Sequence, residues 1–121
     1  MSKAGQLRIK DYLCHILEAI ERISRYCGTM SQDEFLQDEK TQDAVIRNFE
    51  VIGEASRNIE RHHPDFAAEH SYIPWGIAYE MRNALAHGYF MVDMVIVWKT
   101  IQSDLPEMAK LIKSIKIIQS V

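Results

Sequence analysis

Arg82 and His87 stand five residues apart in the segment R-N-A-L-A-H-G-Y, residues 82–89, and together they hold the parts needed to cut a phosphodiester. A histidine gives or takes a proton near neutral pH, and an arginine is a permanent cation that grips phosphate through two N–H groups. The imidazole would move the proton while the guanidinium stabilises charge building on the phosphoryl oxygens. An RNA 2′-hydroxyl can be the nucleophile, so neither a metal nor a cofactor is required. Geometry sets a condition. Five residues in an ideal helix turn the side chains about 140° apart, so the two converge only if the helix ends near His87, where Gly88 is placed to stop it. Asn83, four residues before His87, shares its face and could orient the ring. The plainer alternative is a histidine at a helix C-terminus, held there by the dipole.

Other candidates are weaker on spacing. Tyr89 falls just past the helix end and could support the site or be a surface aromatic. Glu54 follows Gly53 in V-I-G-E-A. A glycine inside a helix often marks a close approach of another helix. Glu54 then either is solvated or faces a polar cleft, where pairing with Arg82 would position the guanidinium. His62, His63, Asp65 and His70 cluster without the i, i+4 spacing or cysteines of a zinc site, and a solvated loop is the expected state. His15, between Cys14 and Ile16, reads as a half-buried helix residue. Cys14 and Cys27 are the only cysteines. Thirteen helical residues span roughly 20 Å, too far for a disulfide, so both are expected as free core thiols.

The elements that must position these residues are helices. From Leu7 to Tyr26, Ile9, Leu13, Ile16, Leu17, Ile20 and Ile23 recur at helical steps, and Gly28 is placed to end the run. Ser31 and Glu34 fit a capping box, with a short helical piece carrying Phe35 and Leu36 after it. A longer helix is expected from about Asp38 to Arg61, where Val45, Phe49, Ile52, Ser56 and Ile59 follow the near-heptad spacing of a left-handed bundle. The stretch 62–73 has no apolar period and reads as a loop. Pro74 suits the first turn of a third helix with Ile77, Ala78, Met81 and Leu85 buried. Asp93 begins the last helical region, kinked or restarted at Pro106 and continuing to about Ile118. The expectation is an all-α, up-and-down bundle of four main helices with short extra pieces, in a single domain over residues 1–121.

Composition narrows the partners. The chain is 47% hydrophobic, with 5 Gly and 3 Pro, which suits a packed helical globule. No window approaches the roughly 20 apolar residues of a membrane span. The first residues lack the apolar core of a signal peptide, so the cytoplasm is the expected location. A formal net charge of −3 argues against a bulk nucleic-acid binder. A short single strand in a locally basic cleft remains feasible, and two paired chains could build one.

With these blocks in order, the chain resembles the HEPN superfamily in its HepT-like subgroup. Arg82, His87 and Tyr89 match the subgroup's Arg, four residues, His, one residue, Tyr, and Asn83 matches the Asn often found after the Arg. The blocks at residues 42–55, 73–75 and 93–106 also look like the subgroup's. The resemblance implies a helical-bundle homodimer whose two Arg/His motifs meet in one cleft, acting as a metal-independent ribonuclease toxin. It implies RNA as substrate, with neither DNA nor membrane as partner. It further implies an MntA-like nucleotidyltransferase antitoxin that attaches AMP units to Tyr89, with a possible higher assembly of the two proteins. Arg82 and His87 would be catalytic, Asn83 and Glu54 supporting. Two competing readings are a non-catalytic adaptor that positions a nucleotidyltransferase or its nucleotide, and a plain dimerisation domain. An intact Arg/His/Tyr set argues against the last, which has no need of it.

Overall fold

In the computed structural model, residues 2–86 and 90–119 are described, without the side chains at 82–86 and 90–93. Every regular element among them is helical: α1 (Lys3–Cys27), α2 (Gln32–Leu36), α3 (Glu39–His62), α4 (Pro64–Glu69), α5 (Ile77–Ala86), α6 (Phe90–Lys99), a π-helical turn (Thr100–Asp104), α7 (Leu105–Lys113) and α8 (Lys116–Gln119). No helix among the described residues is long and apolar enough to cross a membrane.

Helix α1 starts where Ser2 accepts from the Gly5 N–H and stops at Gly28, whose φ of 51° suits a residue without a Cβ. Its stripe of Ile9, Leu13, Ile16, Ile20 and Ile23 is buried. Ser31 and Glu34 cap α2 reciprocally, as their spacing predicts. Helix α3 begins on Asp38, whose carboxylate accepts from both the backbone N–H and the hydroxyl of Thr41. Val45, Phe49, Ile52, Ser56 and Ile59 are buried on it, and α1 packs along α3. Each aliphatic side chain so buried contributes about 1.5–3 kcal/mol. Gln42 ties α2 to α3 by donating from Nε2 to the Phe35 carbonyl at 2.8 Å. Helix α5 leans on α3 and on α6, and α7 returns to α1.

The structure differs from the sequence reading in four places. The expected loop at 62–73 contains α4, which opens on Pro64 and buries Phe66. One buried residue in a six-residue helix leaves no period to detect. The third helix begins at Ile77 rather than at Pro74, because Ile73 and Trp75 are both buried. Two residues apart, they would point to nearly opposite sides of a helix, so a turn must precede α5. The last helical region opens at Phe90 rather than at Asp93, and it restarts at Pro106, one of the two expected outcomes, after a widened turn. The Leu105 N–H reaches back to the Thr100 carbonyl, which accommodates the N–H that proline lacks. His15 is exposed rather than half-buried, since its neighbours Leu13 and Ile16 take the inward positions.

Both cysteines are free. Burial pushes the Cys27 thiol up, which keeps it protonated and inert.

Candidate functional site

The motif expected to carry the chemistry closes the third helix of the sequence reading, and its first half falls on the backbone of α5. Arg82 and Asn83 occupy positions in the second turn of α5, whose range ends at Ala86. His87, Gly88 and Tyr89, and with them the expected helix stop, lie outside the described residues.

Helix α5 forms one wall of a groove of about 790 Å³, and α3 forms the other. The walls meet closely at Gly53: a Cβ there would lie 3.1 Å from the Ala78 Cβ, tighter than ordinary van der Waals contact. Glycine's missing side chain therefore sets the spacing of the two helices, as the V-I-G-E-A segment suggests. Past this contact the groove opens to solvent. Arg47, Glu50, Glu54, Arg57, Asn58 and Arg61 line it from α3, and Ala78, Tyr79 and Met81 line it from α5. Arg82 stands one turn beyond Ala78 and Tyr79 on the same helix, so the groove leads toward the motif.

The electrostatics within the groove are uneven. Arg47 pairs with Glu50 at 3.4 Å, an exposed contact of little energetic weight. Arg57 lies over the Tyr79 ring, its Cζ 4.6 Å from the centroid, within the range of a cation–π contact. Arg61 is exposed and has no ion pair among the described residues. Glu54 is exposed and lines the same groove as Met81, the residue before Arg82.

The histidine cluster separates into structural parts. His70 stacks on Phe66 with ring centroids 4.1 Å apart, and its Nδ1 lies 2.9 Å from the Phe66 carbonyl oxygen. His63 tilts against Tyr12, and His62 is exposed. No group of three or more His, Cys, Asp or Glu among the described residues could hold a metal ion.

Sequence reasoning missed Arg57, Arg61 and Tyr79. A signal for the first two was present, because Gly53, Arg57 and Arg61 recur every four residues and so share one stripe of α3. Tyr79 carried none, since its partner is 22 residues away in the chain.

A family model described as "Ribonuclease HepT-like" matches residues 16–115. The chain is similar to a "Probable ribonuclease HepT" of Thermococcus cleftensis, 48% identical over 99 residues, which cover 82% of this chain and 87% of that protein. A protein of Methanocaldococcus jannaschii named as a "Putative RNase" is 37% identical over 112 residues, covering 89% of this chain and 90% of the relative. Another from that organism, a "Gamma-glutamylcyclotransferase and putative RNase", is 40% identical over 100 residues; these cover 83% of this chain but 44% of that longer protein. No solved structure matches significantly.

Proposed function

The chain belongs to the HepT-like ribonuclease family, and from that premise we propose that it is a metal-independent endoribonuclease and the toxin of a toxin–antitoxin pair. Residues 1–121 form a single bundle of four main helices that pairs with a second copy about a two-fold axis. Each copy brings one Arg82 and one His87 to a shared cleft.

In this reading one His87 imidazole removes the proton from an RNA 2′-hydroxyl. The 2′ oxygen attacks phosphorus, an O2′–P bond forms and the P–O5′ bond breaks. The partner subunit's His87 gives a proton to the departing 5′ oxygen. The products are a 2′,3′-cyclic phosphate and a 5′-hydroxyl. Arg82 binds the non-bridging phosphoryl oxygens and stabilises their growing charge. Asn83 orients the His87 ring from one helical turn away, and Glu54 holds the Arg82 guanidinium from across the groove. Pairing doubles the local cations, which answers the net charge of −3.

Neutralisation follows from Tyr89. An MntA-like nucleotidyltransferase transfers AMP from ATP to the phenolic oxygen, breaking the α–β phosphoanhydride bond and releasing pyrophosphate, which sets phosphodiester charge and a nucleoside beside His87, where they repel and displace RNA.

The observation that carries this reading is the unbroken Arg82, Asn83, His87, Tyr89 pattern beginning on the helix that walls an arginine-bearing groove. Its test is His87→Ala in the purified chain. Cleavage of single-stranded RNA should fall by roughly 10²- to 10⁴-fold, and equal cleavage would refute a catalytic His87. Co-expression with a neighbouring nucleotidyltransferase should raise the intact mass by whole AMP units, and Tyr89→Phe should abolish the rise. A rise that persists in Tyr89→Phe would put the modification elsewhere.

A further inference from the structure

The groove between α3 and α5 is larger than an Arg/His motif needs, and its chemistry is specific. Arg57 lies over Tyr79, with Cζ 4.6 Å from the ring centroid. Arg57 is exposed while Tyr79 is half-buried, so the planar guanidinium lies on the solvent side of the ring. Such a plane accepts an unstacked base, since guanidinium and nucleobase stack face to face. One turn along α3, about 6 Å further along the helix, Arg61 is exposed and lines the same groove, where it can meet a phosphate. Glu50 pairs with Arg47, which sets Glu54 alone against Arg57 and Arg61 in the charge of the groove lining. The groove is therefore locally basic on a chain of net negative charge, and its lining reaches Met81, the residue before Arg82.

We propose that the α3–α5 groove is a single-stranded RNA subsite, in which a base stacks on the Arg57 guanidinium supported by Tyr79 while Arg61 binds a neighbouring phosphate. The proposal rests on the ribonuclease reading and adds to it the means of holding the strand beside the reacting phosphate. Arg57, Tyr79 and Arg61 are positioning residues: they set where the strand lies and move no proton. Stacking also explains how a protein of negative net charge holds RNA, because every base has a π-face and the contact needs few phosphates. A single-stranded rather than paired substrate follows, since a base within a duplex presents no free face.

The test separates binding from cleavage. The full chain and its variants are titrated against a fluorescent 2′-O-methyl strand of about twelve nucleotides, which lacks the 2′-hydroxyl and so resists transesterification. The same titration is run with an abasic 2′-O-methyl strand of equal length. The parent should bind the base-bearing strand roughly 10- to 100-fold more tightly than the abasic one. Arg57→Lys keeps the charge and loses the plane, so it should erase that difference while leaving the salt dependence intact. Tyr79→Leu should act likewise. Arg61→Gln, an exposed change that leaves the fold unaltered, should weaken both strands equally and lower the salt slope by about 0.7. Failure of the parent to bind the base-bearing strand would overturn the subsite. So would unchanged discrimination in Arg57→Lys and Tyr79→Leu, or a shift in oligomeric state by light scattering without a change in RNA affinity, which would make the groove an interface between chains. Cleavage of ordinary RNA by the parent is measured in parallel: if it persists while these effects are absent, the subsite fails and the ribonuclease reading stands.

Discussion

Helix α3 has two faces made to different specifications. Into the core, where α1 packs along it, it presents Val45, Ile52, Ala55 and Ile59, all buried. Along the groove shared with α5 it presents Glu50, Glu54, Arg57 and Arg61, all exposed, and the two helices approach closely at Gly53 and Ala78. The apolar face holds the molecule together through area removed from water. The polar face contributes little stability, since exposed charges are well solvated and their pairs weak. One helix thus serves both as scaffold and as wall of the groove, so substitutions on its two sides should separate folding from the proposed function.

The largest effect expected is on the chemistry beside the polar face. Arg82→Ala should reduce RNA cleavage by at least about 10²-fold through lost stabilisation of the phosphoryl charge, with Tm unchanged. A Tm lowered in proportion to the lost activity would make Arg82 structural and break the separation. Next is Ile52→Ala on the apolar face. Ile52 has no exposed surface, so its truncation should cost about 2–5 kcal/mol in a urea titration, with cleavage per folded molecule retained at low temperature. Activity lost from molecules still folded would show that the two faces are coupled.

Gly53→Ala probes the one residue that belongs to both sides. The new methyl gains about 1 kcal/mol of helix propensity and meets Ala78 at a distance that costs about 1–3 kcal/mol. A net loss of roughly 0–2 kcal/mol is expected, together with weaker RNA cleavage as the groove walls shift. Higher stability with full activity would mean that the close approach has no bearing on the site. The smallest effect concerns the cap of α3. The Thr41 backbone N–H, and then its hydroxyl, hold the Asp38 carboxyl below its ordinary value of 3.8. A carboxyl lowered on folding adds stability above its unfolded pKa and loses it as pH falls through the lowered folded value. Thermal melts of the parent should therefore lose this contribution below about pH 4, and Asp38→Asn should lack that component. Identical acid profiles for the two proteins would contradict the assignment.

The scaffold was more legible in the sequence than the groove, and the reason is periodicity. Long helices repeat their buried positions, so Ile9 to Ile23 and Val45 to Ile59 announce α1 and α3, and Gly28 and Ser31 mark boundaries by local backbone chemistry. Helix α4 hid because Phe66 is its one buried side chain. The start of α5 was misplaced because Ile73 and Trp75 are both held in the core by a turn, a tertiary demand that overrides the preference of Pro74 for a first helical turn. The motif Arg82, His87, Tyr89 was readable as chemistry and as family resemblance. Arg57 on Tyr79 was not, because that contact exists only once α5 has folded against α3.

The central claim is transesterification by the chain alone, and one substrate addresses it directly. A 2′-O-methyl strand bearing a single ribonucleotide is incubated with the purified chain in EDTA, and the products are weighed. The account predicts one cut, immediately 3′ of that ribonucleotide, leaving a 2′,3′-cyclic phosphate on one fragment and a 5′-hydroxyl on the other. An intact strand, a cut that needs an added divalent ion, or fragments ending in 3′-hydroxyl and 5′-phosphate would contradict it.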